Sequence, residues 1–292
     1  MQDSVRPAAP PAPRDDGGAD AFPESVLQSA QGAISYRECG AGPRTIVLLH
    51  GISSGAASWT QCALALRGHA RVIAWNAPGY GASMPLRGHA PSAPDYAARL
   101  DALLEGLDVE DCVIVGHSLG ALMAAAHAAG SPRPGRAYVL LSPALGYGGG
   151  ERLRTAEQVR AKRLAALRGQ GIAGMAAALP DRLLAAGASQ AQRQLVRDTA
   201  LQLNEIGYAQ AVEMLCSDDI ERHALDASRA WVYCGDLDVV TPPDQSEAYA
   251  RGHGLPFGLI PGAGHACYVQ WPDEVARLIR DVSSGVATKA DA

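Results

Sequence analysis

Between residues 25 and 281 short apolar runs alternate with stretches of helical periodicity, as expected of strands that feed helices. Residues 25–30 and 33–39 read as an opening hairpin, with Gln31-Gly32 at its turn. Residues 45–50, 71–75, 111–115 and 137–141 are β-branched apolar runs, the pattern of strands buried on both faces. Helical periodicity separates them at 57–67, at 95–107 and from Ala121 onward. This order predicts an α/β fold, a mostly parallel central sheet with helices on both faces. Such sheets bind ligands at the carboxyl ends of their strands.

The alternation stops after Gly148-Gly149-Gly150. Residues 151–227 carry no convincing strand, and helices are expected at 152–167, 172–179, 191–205 and 208–216, with Pro180 and Gly207 as breaks. A strand at 230–234, a helix at 245–250, a strand at 257–260 and a helix at 272–281 then resume the pattern. The predicted organisation is therefore a core in two parts, 22–150 and 228–292, interrupted by a helical cap at 151–227. An insertion at that point commonly forms a lid over the strand ends; a separate domain away from the site is the alternative. Residues 1–21 hold Pro7, Pro10, Pro11 and Pro13 beside Asp15, Asp16, Gly17 and Gly18. A segment of that composition buries too little apolar surface to fold and reads as a disordered tail.

Composition narrows the function classes. A chain of 292 residues that is 48% hydrophobic can bury a large core. Its net charge of −5 argues against nucleic acid or an anionic membrane as partner. No apolar run reaches the length of a membrane span, and the N-terminus lacks the apolar core of a secretory signal. The six cysteines form no C-x-x-C pair, so neither a disulfide framework nor a metal site is expected, and a cytoplasmic location follows. No cofactor is expected either. Cys267, two residues after His265, is read as a packing residue.

The candidate chemistry lies in two G-x-S-x-G pentapeptides, Gly116-His117-Ser118-Leu119-Gly120 and Gly51-Ile52-Ser53-Ser54-Gly55. Context separates them. An apolar strand runs directly into Ser118 and a helix-forming run starts three residues later, so the serine sits on a sharp strand-to-helix turn. Ser53 also follows a strand, but Gly55 delays the helix and leaves that serine in a loop. Its loop, after His50-Gly51, is suited to donating a backbone N–H to a reaction intermediate. A serine hydroxyl is a weak nucleophile at neutral pH and needs a base, which in turn needs an orienting carboxylate. Gly235-Asp236-Leu237-Asp238, followed by Pro242, and Pro261-Gly262-Ala263-Gly264-His265 supply both at strand ends. Asp236 is the rival acid to Asp238. His50 and His117 are expected to support loops, His127 to be a satisfied core residue, and His223 and His253 to lie on the surface.

With these motifs the chain from Ile34 onward resembles the α/β-hydrolase family. The acid loop G-x-x-D-x-x-x-P and the base loop G-H of that family fall on Asp238 and His265. The turn Asn76-Ala77-Pro78-Gly79-Tyr80-Gly81-Ala82-Ser83 matches D-x-x-G-x-G-x-S, with Asn76 where the family usually has Asp. The resemblance implies Ser118 as nucleophile, His265 as base, Asp238 as its orienting acid, and the N–H groups of Ile52 and Leu119 as oxyanion donors. A serine at the elbow sets the chain apart from the dehalogenases and epoxide hydrolases of the family, which place Asp there. Gly55-Ala56 and Trp59 are similar to the hydrolases that cleave C–C bonds of ring-opened aromatic compounds. Ser54 and Ala266 depart from that pattern, and enol-lactonases and carboxylesterases resemble the chain equally well. The expected activity is hydrolysis of a carboxylic ester or lactone, a small-molecule acyl substrate, with the C–C hydrolase as alternative. A non-catalytic binding protein on the same fold is an alternative of another class. The cap holds nine arginines from Arg152 to Arg222 and a single aromatic residue, Tyr208. Any arginine turned inward there would suit a substrate carboxylate.

Overall fold

The computed structural model describes residues 21–285, so the expected tail lies almost wholly outside the described residues. β1 (Glu24–Ser29) and β2 (Gly32–Cys39) form the antiparallel hairpin, and β2 pairs antiparallel with β4 (Ala70–Trp75). From β4 the sheet continues in parallel through β3 (Arg44–Leu49), β5 (Cys112–His117), β6 (Ala137–Leu141), β7 (Ala230–Gly235) and β8 (Phe257–Ile260). The five residues of β6 and the six of β5 are all buried, as β-branched runs covered on both faces must be. After a short 3-10 turn (Ala56–Trp59), α1 (Thr60–Leu66) packs against α9 (Pro272–Ser283), and α2 (Ala93–Gly106) packs against α3 (Leu119–Gly130). α7 (Pro243–Gly252) lies against β7 and β8.

Strand order places the site. β3 has β4 on one side and β5 on the other, so the chain reverses its direction of sheet growth between β3 and β5. Adjacent strands whose connections leave in opposite directions open a crevice beyond their carboxyl ends. Leu49 pairs with Gly116 across that crevice, which puts the loop after β3 beside the turn after β5.

The segment between β6 and β7 is largely helical; the expected gap between 167 and 172 falls on Gly171, but the two expected breaks do not end helices. α4 (Ala156–Leu183) is folded back at Gly171, which adopts φ 63°, ψ 179°; α5 (Gln190–Leu201) and α6 (Glu205–Ser217) follow. Pro180 does not break α4. It lies inside α4, three residues before the helix ends, where it removes one i→i−4 bond, and the helix closes past it as Leu184 N donates to its carbonyl at 3.1 Å. Gly207 is not a break either. It lies in the first turn of α6, whose start is set by Asn204 accepting from Ile206 N at 2.9 Å. Glycine is needed there because a Cβ would come within 2.1 Å of the Gly79 carbonyl. A short helix, α8 (Cys267–Gln270), had no sequence signal. His223, expected on the surface, is half-buried and bonds Asp218 Oδ1 at 3.0 Å. Among the described residues no helix is long and apolar enough to cross a membrane, and all six cysteines are free.

Candidate active site

Ser118 occupies the turn between β5 and α3 at φ 53°, ψ −116°, a conformation costing a non-glycine residue about 1–3 kcal/mol. Flanking backbone bonds hold it there. Ser118 N donates to Leu141 O at 2.9 Å, and Ala121 N and Ala144 N each donate to Ser118 O at 3.0 Å. The two glycines of the pentapeptide are steric requirements. A Cβ at Gly116 would lie 2.3 Å from Gly120 O, and one at Gly120 would lie 2.4 Å from Leu49 O. The cost of the turn is thus met by close packing of strand, turn and helix.

The loops after β7 and β8 bring a carboxylate and an imidazole together. His265 Nδ1–H donates to Asp238 Oδ2 at 2.8 Å, with both side chains buried. Asp238 Oδ1 accepts from the N–H groups of Val240 at 2.7 Å and Thr241 at 3.0 Å, and the Thr241 hydroxyl donates to Oδ2 at 2.9 Å. Burial alone would raise the Asp238 pKa. The hydrogen bond and charge of His265 and the backbone donors outweigh it and hold the carboxyl well below the usual carboxylate range. Asp236 is exposed and accepts from Gly262 N at 2.7 Å, so it braces the base loop from outside.

The loop after β3 is clamped on both sides. Ala77 N donates to His50 Nε2 at 3.0 Å, which leaves the ring proton on Nδ1 to bond Gly51 O at 2.8 Å. Burial lowers the His50 pKa to about 4, so the ring stays neutral and keeps this tautomer. The Tyr80 hydroxyl donates to Ile52 O at 2.8 Å. Asn76 Oδ1 accepts from Ala56 N at 2.8 Å, while its amide donates to Ser35 at 2.9 Å and to Glu24 at 3.1 Å. An aspartate at 76 would repel Glu24, so the departure from the family pattern has a local reason. Among the described residues, neither the Ile52 nor the Leu119 N–H is bonded to another group.

Ser118, His265, His117 and Tyr268 line a cavity of about 50 Å³, and Ile52, Ser118 and Leu119 line a neighbouring one of about 90 Å³. Ser118 and His265 thus face one space, although no hydrogen bond joins them among the described residues. That contact commonly closes only around a bound substrate. Ser53 is half-buried at the rim of the same space. Leu179, Arg182 and Leu183 of α4, with Arg163 and Val196, complete the wall, so the helical segment covers the serine. Among the described residues no group of three or more His, Cys, Asp or Glu is disposed to hold a metal.

The sequence profile described as the alpha/beta hydrolase family matches residues 46–278. The chain belongs to that family. This α/β-hydrolase is similar to 2-hydroxy-6-oxononadienedioate/2-hydroxy-6-oxononatrienedioate hydrolase 2 of Pseudomonas putida, with 32% identity over 118 residues. The matched part spans 39% of the chain and 41% of that relative's length. Its fold is similar to a thermophilic esterase from Thermogutta terrifontis (TM-score 0.77, 23% identity, 91% of this chain and 100% of that one). The enol-lactonase from Burkholderia xenovorans LB400 is similar to the same degree (TM-score 0.77, 20% identity, 89% of this chain and 100% of that one).

Three residues of the α/β-hydrolase site escaped the sequence reading. Thr241 bonds both Asp238 and, at 3.2 Å, His265 Nδ1; its only signal was a hydroxyl three residues after the acid. Tyr268 stacks on Trp59 at 3.8 Å between ring centroids and bonds the hydroxyls of Ser58 at 3.0 Å and Ser54 at 3.3 Å. Gln270, fully buried, accepts from Gly264 N at 2.8 Å and Ala185 N at 2.9 Å, joining the base loop to the end of α4. No motif marks these last two, since their partners are distant in sequence.

Proposed function

We propose that this α/β-hydrolase cleaves a carboxylic ester or lactone through an acyl-enzyme on Ser118. In the first step Ser118 Oγ attacks the acyl carbon while its proton passes to His265 Nε2. The oxyanion is met by the free N–H groups of Ile52 and Leu119, each worth about 10²–10³ in rate in comparable sites. Collapse of the intermediate breaks the C–O bond, and His265 returns the proton to the leaving oxygen. Water then attacks the acyl-enzyme with His265 as base, giving the free acid and the starting serine. Asp238 holds the imidazole in the tautomer that leaves Nε2 open to the serine, and stabilises the imidazolium. Residues 151–227 act as a cap that sets selectivity.

The observation that carries this reading is the Asp238–His265 hydrogen bond of 2.8 Å, facing the same cavity as a serine on a strained strand-to-helix turn. A fluorophosphonate probe tests it: Ser118 should be labelled in the native protein and protected by a slow ester substrate. Absence of labelling with an intact fold overturns it. A second reading, hydrolysis of a C–C bond in a ring-opened dienoate, is favoured by the Pseudomonas putida relative, whose name carries that substrate. Turnover on a panel of neutral esters, lactones and ring-opened dienoates separates the two.

A further inference from the structure

Arg163 and Arg182 lie in α4 on either side of Gly171, nineteen residues apart. An unbroken helix would hold their Cα atoms about 28 Å from one another. The fold-back at Gly171 removes that separation, and both arginines line each of the three cavities that meet at the site. The largest of these, about 420 Å³, adjoins the Ser118 cavity through Ser53, Leu179 and the two arginines themselves, and Lys162 adds a third cation to its wall. No aspartate or glutamate lines any of the three.

Among the described residues three of the other seven arginines of the helical segment pair with acids. Arg152 meets Asp219 at 2.8 Å, Arg160 meets Glu213 at 2.9 Å, and Arg193 bonds Asp181, the immediate neighbour of Arg182. Among the described residues Arg163 and Arg182 have no acidic partner; Arg163 reaches only the Tyr208 hydroxyl, at 3.4 Å. Arg182 is exposed along part of its length, and desolvation at the cavity wall, then the like charge of Arg163, lowers its pKa. Two guanidinium groups facing one space without a counter-charge repel one another to the extent that water does not screen them, and an anion held between them relieves that repulsion.

We propose that Arg163 and Arg182, gathered by the Gly171 fold-back, form a carboxylate subsite beside Ser118, selecting acyl substrates that carry a second carboxylate beyond the scissile carbonyl. The inference rests on Ser118 as nucleophile for its kinetic test and is independent of it for its binding test. The guanidinium fork takes a planar carboxylate in a bidentate bond, the anion an acyl substrate most simply carries, and the phosphate arm of the binding test separates it from phosphate.

The kinetic test compares kcat/KM for mono-p-nitrophenyl glutarate with that for p-nitrophenyl valerate, a neutral ester of similar length. The charged-to-neutral ratio should fall about tenfold in Arg182→Gln and about a hundredfold in Arg163→Gln/Arg182→Gln, mainly through KM of the charged ester. Arg182→Lys, which keeps the charge but loses the fork, should fall between Arg182→Gln and the unmodified protein. Arg251→Gln, an exposed α7 residue outside the three cavities, should leave the ratio unchanged and controls for net charge. An unchanged ratio in the double variant overturns the subsite. The binding test uses free glutarate, which should raise the melting temperature of the unmodified protein and not of the double variant. Stabilisation by inorganic phosphate without any by glutarate overturns the carboxylate assignment. Should the unmodified protein turn over neither ester and resist the fluorophosphonate, the serine reading falls while the glutarate shift still decides the subsite.

Discussion

Acidification from pH 7 to pH 5 should remove about 4 kcal/mol of folding stability through two buried histidines alone. Burial lowers the His50 pKa to about 4. For His117 burial and then the charge of His265 lower it to about 3, from an ordinary value of 6.5. Both folded values lie below the unfolded one, so below pH 6.5 the unfolded chain binds protons that the folded protein refuses. Stability therefore falls as pH drops through 6.5 and keeps falling until the folded values are reached. At pH 5 each ring is almost fully protonated when unfolded and almost fully neutral when folded, a difference of about 2 kcal/mol per histidine. Asp238 adds nothing in this window. Its carboxyl is depressed, so its contribution is present above the ordinary carboxylate pKa and is lost only on further acidification. The loss is large against a typical total of about 5–15 kcal/mol. Urea unfolding followed by circular dichroism at pH 7, 6 and 5, at fixed ionic strength, measures it. His117→Gln keeps a donor for the His265 carbonyl, now bonded at 2.8 Å, and should roughly halve the slope. Stability that stays within about 1 kcal/mol across the range, or a slope indifferent to His117→Gln, would refute the reasoning.

Ser118→Ala should abolish turnover and fluorophosphonate labelling with the melting temperature preserved, whereas Ser53→Ala should retain most activity; full activity in the first variant defeats the mechanism. Asp238→Asn should lower kcat by about 10⁴, because an amide cannot accept from Nδ1–H and leaves the imidazole in the wrong tautomer. Asp236→Asn keeps an acceptor for Gly262 N and should lose less than about tenfold, and the reverse ranking would move the acid to Asp236. Gln270→Ala leaves the buried N–H groups of Gly264 and Ala185 unpaired and should cost about 1–3 kcal/mol of stability together with part of kcat. A melting temperature indifferent to that substitution would show that water replaces the amide.

What the sequence disclosed was whatever is encoded over short distances. The strand, elbow and helix around Ser118 are contiguous, and the two glycines exist because backbone passes within 2.3–2.4 Å of where a Cβ would stand. The hairpin, whose turn falls on Ala30-Gln31 one residue before the expected Gln31-Gly32, the parallel strands and the helical character of residues 151–227 are legible for the same reason, since period and turn chemistry are local properties. The punctuation of the helical segment was legible only at the Gly171 kink. Proline is a strong breaker in isolation, yet at Pro180 the helix runs on for one more turn. Gly207 reads as a stop but is small so that α6 can start against Gly79. His223 looks like a surface residue until Asp218, which also accepts from Ala93 N at 3.0 Å, folds over it.

The same logic bears on how far the helical segment stands apart from the chemistry. Ser118, Asp238, His265, Ile52 and Leu119 all lie outside it in sequence, which suggests a cap that tunes selectivity and leaves the chemistry untouched. The contacts tell against so clean a division. Ala266 N, one residue past the imidazole, donates to Leu183 O of α4 at 2.8 Å. Gln192 of α5 donates to the carbonyls of Val269 and Gln270 at 3.0 Å each, and Gln270 ties Gly264 to Ala185. The loop that carries His265 is therefore held from the core side by Asp238 and from the helical side by four hydrogen bonds, two of them buried. A 1 Å drift of a catalytic group can cost about a hundredfold in rate, so a segment that contributes no reacting atom still governs the rate through the base. Sequence separation sets the proposed reacting groups outside the segment; the folded contacts show that the loop of the proposed base is shared with it.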